Sequence, residues 1–233
     1  MSIKVFRAVL IFALLLGGSL SVASPARAAG VLYAKPAATG TGDCSSWANA
    51  CDLQTALTSA ASGDEIWVAA GTHKPTSGTD RTISFQLKSG VTVYGGFAGT
   101  ETARSQRDFE THLTILSGDI GTVSDMSDNS YTVVTGSGVD ATGVLDGFTI
   151  TYGNANVNYA ATGTGGGMYN YAGSPTVRNS IFVNNKALIG GAVSNDSYSA
   201  PTFTDVIFSN NSADGGGGMS NSTSSAPILT RVV

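Results

Sequence analysis

Gly190-Gly191-Ala192-Val193-Ser194-Asn195 stands between two near-copies of itself, Gly165-Gly166-Gly167-Met168-Tyr169-Asn170 and Gly216-Gly217-Gly218-Met219-Ser220-Asn221. After the three copies come Ser174-Pro175-Thr176, Ala200-Pro201-Thr202 and Ala226-Pro227-Ile228 in matching places. Asn170 and Asn195 are 25 residues apart, Asn195 and Asn221 are 26 apart. A period of that size, built from short apolar alternations and Gly/Asn/Ser turns, is one turn of a solenoid. A single turn cannot bury its apolar face, whereas a stack encloses one continuous core.

The register says which solenoid. Val177, Ser180 and Phe182 match Phe203, Val206 and Phe208, and then Leu229 and Val232. A divergent earlier copy lies at Leu145, Phe148 and Ile150, with Ala155 where later copies have Ala187 and Ala213. Side chains two apart give strand periodicity, and no window sustains the 3.6-residue pattern a helical repeat needs. The expected architecture is all-β: a parallel β-helix whose coils stack about 4.8 Å apart, with Val177, Phe182, Phe203, Val206 and Phe208 in its core. Asn170, Asn195 and Asn221 share one register, Asn185 and Asn211 another. Stacked amides both donate and accept, so these positions predict hydrogen-bonded ladders.

Gly190-Gly191-Ala192-Val193 with Phe208-Ser209-Asn210-Asn211, and Phe182-Val183-Asn184-Asn185 before them, resemble the GGA-aliphatic and F-x-x-N signatures of the polymorphic outer membrane protein repeat. Gly63 to Gly71, Tyr94 to Glu101 and Leu145 to Ile150 are similar to the N-terminal part of such β-helix proteins. The resemblance runs from about Val31 onward. Gly167-Met168 and Gly218-Met219 depart from the signature. It implies a right-handed parallel β-helix of pectin-lyase-like architecture, on a secreted or surface-exposed bacterial protein, with surface glycans or host and cell-envelope components as partners.

Residues 1–28 read as an export signal: Lys4 and Arg7, an apolar run from Ala8 to Leu16, and a small-x-small site at Ala26-Arg27-Ala28. That run is too short to span a bilayer, and no later stretch is long enough, so no membrane insertion is expected. Residues 29–233 form one β-helix domain: a cap over about 31–62, irregular coils over 63–137 and regular repeats over 138–233. Val233 matches Ile207, which places the last residue in mid-coil and predicts further coils or an anchor module downstream. Without Lys4, Arg7 and Arg27, nine basic residues face sixteen acidic ones, a net charge of −7. Such a surface repels nucleic acid.

Cys44 and Cys51 are the only cysteines, and in an exported chain they predict a disulfide. Neither a metal nor another cofactor is expected, since His73 and His112 are isolated from other ligands. Leu53, Ala56, Leu57 and Ala60 share a helical face that would cap the N-terminal end of the solenoid. Further strands are expected at Glu65 to Ala69, Ile83 to Leu87, Val91 to Tyr94, Thr114 to Leu116 and Tyr131 to Thr135. Thr100 to His112 and Gly121 to Ser130 read as loops, the first leaving the body of the helix.

Catalysis on a β-helix would need paired carboxyl groups across a cleft or a base beside a metal. In the three close copies, 165–233, only Asp196, Asp205 and Asp214 are acidic; Asp196 and Asp214 are expected in turns, and Asp205 is expected in register with Arg178 and Arg231, a self-neutralising outward column. Asp146 in Leu145-Asp146-Gly147 reads as the start of a bend. The glycine clusters lack the following helix and lysine of a phosphate loop and the nine-residue period of a calcium roll. The leading expectation is therefore an exported β-helix with a structural, adhesive or binding role. The alternative is a polysaccharide lyase or glycoside hydrolase using the loop acids Asp125, Asp128, Asp140 and Asp146.

Overall fold

In the computed structural model, which describes residues 29–157 and 162–233, each repeat becomes a coil of short strands, and each strand pairs in parallel with its counterpart one coil on. The segment read as an export signal lies outside the described residues. The chain is a parallel β-helix. Among the described residues its largest sheet has ten strands, the second five and the third three. Along one arm of the large sheet stack Val31–Ala34, Glu65–Ala69, Thr92–Phe97, Val144–Asp146, Thr176–Val183, Thr202–Ser209 and Ile228–Val232.

Pairing aligns side chains into columns. Leu32, Ile66, Val93, Leu145, Val177, Phe203 and Leu229 form the inward column of this arm. One position on, Tyr33, Trp67, Tyr94, Asp146, Arg178, Thr204 and Thr230 form an outward column. The chain then turns a corner at residues in the left-handed region: Gly147 (φ 90°), Asn179 (φ 50°), Asp205 (φ 55°) and Arg231 (φ 50°). Past the corner the inward column is His73, Leu116, Ile150, Phe182 and Phe208.

The corner corrects one register. Thr204, not Asp205, pairs with Arg178, and Asn179 is the counterpart of Asp205. The column expected to alternate Arg178, Asp205 and Arg231 is two separate ion pairs, Asp146 with Arg178 and Asp205 with Arg231. Asp196 and Asp214, expected in turns, lie in the strands Val193–Asp196 and Ser212–Gly215.

Val177, Phe182, Phe203 and Val206 are wholly buried, and the rings of Phe182 and Phe208 lie 5.4 Å apart. Phe208 faces inward too but is half-buried, covered on its far side only by the last strand. The amides stack as rungs: Asn170 Nδ2 donates to Asn195 Oδ1 and Asn195 Nδ2 to Asn221 Oδ1, each at 2.8 Å. Asn185 Nδ2 donates to Asn211 Oδ1 and to the Ile150 carbonyl, while Asn211 Nδ2 reaches the Phe182 carbonyl. Backbone groups at the tight turns are thereby satisfied without water.

The helix Leu53–Ser59 is capped by Asp52, whose carboxylate accepts from the Thr55 N–H, and it buries Leu53, Ala56 and Leu57 against the first coils. Cys44 and Cys51 are joined by a disulfide with Cα atoms 4.8 Å apart. The strands Phe85–Gln86, Thr92–Phe97, Thr114–Ser117 and Val134–Thr135 sit within or close to the expected bounds.

Removing the Phe182 ring leaves a cavity between its neighbours in the stack, so Phe182→Ala should cost about 3 to 5 kcal/mol and Phe208→Ala roughly half that. Urea denaturation of the two variants measures the order, and equal costs would contradict the stacking.

His73 occupies a core column otherwise filled by Leu116, Ile150 and phenylalanines. Burial holds its pKa below the ordinary 6.5, against the opposing effects of the Ala69 carbonyl, 3.0 Å from Nε2, and of Asp52. The unfolded chain therefore takes up this proton first, and stability should fall as pH drops from about 6.5 toward 4.5, above the range where the depressed carboxylates act. Melting temperatures at pH 7.5 and 5 should differ for the native chain, and the difference should shrink in His73→Leu.

Candidate functional site

The outward column of the first arm changes character along the axis, from the rings of Tyr33, Trp67 and Tyr94 to the charges of Asp146 and Arg178. The segment 98–113 lies over it. Glu101 starts that segment: its carboxylate gathers the N–H groups of Ala98, Gly99 and Thr100, and its carbonyl accepts from Trp47 Nε1 at 2.9 Å. Trp47 belongs to the loop closed by the disulfide and packs at 4.9 Å from Tyr33 and 5.7 Å from Phe97, which stacks on Trp67. Arg104 lies over Tyr94 and donates to Glu65 at 2.6 Å.

Arg107 is the main fastening. Its guanidinium sits over Tyr94 and Phe109 and donates to the Gly95 carbonyl, the Asp146 carbonyl and Asp146 Oδ1, the last at 2.8 Å. Arg178 Nε and Asn179 Nδ2 each reach the same carboxylate at 2.8 Å. Asp146 is 2% exposed, so its burial is offset by two guanidinium groups and an amide. The expected loop leaving the body is instead a strap pinned to it. Two glycines make room: a Cβ on Gly96 would stand 2.6 Å from Phe109 Cα, and one on Gly147 3.1 Å from Phe109 Cβ.

Where the strap returns to the sheet it borders a groove of about 500 Å³ at the corner. The strap contributes Phe109, Glu110 and Leu113; the sheet contributes Thr149, Ile181 and Ile207, with Asn179 and Asp205 at the corner itself. Leu113, Ile181 and Ile207 are exposed apolar side chains. The Asp205 carboxyl is held below the usual range by its hydrogen bonds from Arg231.

The loop acids do not meet at this groove. Asp125 and Asp128 lie on the segment after Thr114–Ser117, where Asp128 accepts from the Thr122 N–H and Asp125 from the Ser127 N–H. Asp140 caps a separate turn through Thr142 and Ser89. Hydrogen bonds from Ser127 and from Thr142 hold Asp125 and Asp140 below the ordinary carboxylate range, the opposite of what a general acid requires. Asp146, expected to start a bend, does precede the corner glycine, but it is also a buried, doubly paired carboxylate. Among the described residues no three His, Cys, Asp or Glu side chains gather as a metal-ligand group.

No protein-family model and no curated protein sequence matches the chain. Among solved structures it is similar to the crystal structure of pectate lyase Pel9A, at 13% identity and a TM-score of 0.47 over 82% of this chain. The chain spans 46% of that structure's length.

The clamp yields a sharp expectation. Asp146→Asn leaves Arg107 buried against a neutral amide and should cost about 3 kcal/mol, whereas Arg178→Ala, at the more exposed partner, should cost about 1 kcal/mol. Denaturant titration separates them; a harmless Asp146→Asn would mean that the strap is held by its aromatic contacts alone.

Proposed function

We propose that this chain is an exported β-helix module, at the cell surface or outside the cell, that binds its ligand and does not chemically transform it. The observation that carries this reading is the commitment of its acids. Asp146 is taken by Arg107 and Arg178, Asp205 by Arg231, and Asp125 and Asp140 by their own turns. Glycosidic cleavage by paired carboxylates needs two of them across one cleft, about 5 to 10 Å apart, one with a raised pKa. Supporting export are the signal-like residues 1–28 and a disulfide suited to an oxidising compartment. The polysaccharide lyase or hydrolase reading would need the loop acids brought together by a partner or a further part of the protein.

Incubation of the purified chain with pectin, xylan, β-glucan and chitin should release neither unsaturated nor reducing ends, and mass spectrometry of protein from the producing cells should find an N-terminus near Ala29. Sugar release that disappears in Asp125→Ala or Asp140→Ala would establish the enzyme reading instead.

A further inference from the structure

We propose that the corner groove binds a neutral, extended glycan chain and discriminates against polyuronates. The inference rests on the binding-module reading and names the ligand class of the same groove.

The spacing of the groove's side chains suits a sugar chain. Thr149, Ile181 and Ile207 stand in register on three successive coils, so they recur about every 4.8 Å along the solenoid axis. Ile181 and Ile207 are 37% and 45% exposed, a large expense of apolar surface at matched outward sites. One pyranose ring in an extended β-linked chain advances by close to one coil step. Successive rings can therefore lay their C–H faces on successive side chains, with Phe109 and Leu113 of the strap alongside. An extended peptide fits worse: it rises about 3.3 Å per residue and repeats a face every second residue, out of step with the coils. It also gains most by adding to an open sheet edge, while here the Ile181 N–H is already bonded to the Phe148 carbonyl.

The groove's charge disfavours an anionic chain. The groove lining carries two acids, Glu110 and Asp205, and no Lys or Arg among the described residues. The nearby cations are spent, Arg107 and Arg178 on Asp146 and Arg231 on Asp205. A polyuronate would bring a carboxylate on every ring toward Glu110 with nothing to neutralise it, and like charges brought together discriminate effectively. A neutral sugar brings hydroxyl donors instead. The Glu110 carboxylate, which has no hydrogen bond or ion pair within the described protein, and the Thr149 hydroxyl can accept them.

Titration calorimetry of the whole purified chain against cellohexaose, xylohexaose, mannohexaose and hexagalacturonate tests this. At least one neutral hexasaccharide should bind about tenfold or more tighter than hexagalacturonate. Ile181→Glu, at a site already exposed, should weaken that binding about tenfold with an unchanged melting temperature, and Glu110→Gln should narrow the gap to hexagalacturonate. Equal or tighter binding of hexagalacturonate, indifference to Ile181→Glu, or no binding of any neutral hexasaccharide at millimolar concentration overturns the proposal. No glycan binding together with no sugar release defeats this inference and leaves the binding-module reading. Sugar release from a bound neutral glycan defeats the module reading and leaves the ligand class standing.

Discussion

Stacking in register at about 4.8 Å per coil is the constraint on which this structure depends. Each side chain lies over its own counterpart, so a column must be compatible with itself. Aliphatic and aromatic columns meet that condition through burial, and asparagine meets it because one amide can both donate and accept, as Asn195 does between Asn170 and Asn221. A column of carboxylates cannot. At the corner of the large sheet the next coil supplies an arginine for each acid, Arg178 for Asp146 and Arg231 for Asp205.

The same constraint makes the corner. Three non-glycine residues there adopt left-handed backbone, a conformation that costs on the order of 1 kcal/mol or more each. Asn179 recovers part of this through its bond to Asp146, and Asp205 and Arg231 through each other. The turn leaves an external angle between the two arms of the sheet. The strap fills that angle over the aromatic coils and ends beside Ile181, which leaves the remainder open as the groove. Fold and site are thus one consequence of how the coil bends.

Much of the fold was legible because its signal is repeated. The 25- and 26-residue spacing, the Asn positions and the matched phenylalanines all follow from residues doing the same task once per coil. What was illegible is what occurs once. Arg107 and Asp146 are 39 residues apart in sequence, and nothing local distinguishes Arg107 from the other charges of a solvated loop. Nothing local marks Phe109 and Glu110 as groove residues either, although the glycines at positions 96 and 147 are a trace of something lying close above them. Arg178 and Asp205 do not share a column because they are 27 residues apart, whereas the paired residues on both sides of the corner are 26 apart.

The strap's fastening bears on how well the groove can bind. It is held at its start by Trp47, itself fixed by the disulfide loop and by Tyr33 and Phe97, and further along by Arg104 on Tyr94 and Arg107 on Asp146. These contacts fall on three different coils, so no single fluctuation of the sheet releases the strap. A groove bordered by a fixed strap and a stacked sheet loses little conformational entropy when a ligand arrives. That matters most for an uncharged ligand such as a neutral sugar chain, whose shallow contacts leave little surplus to offset the ordering of a mobile wall. The cost of burying Asp146 is then met in the free protein, before binding, by the arginines that position Phe109 and Glu110 at the groove.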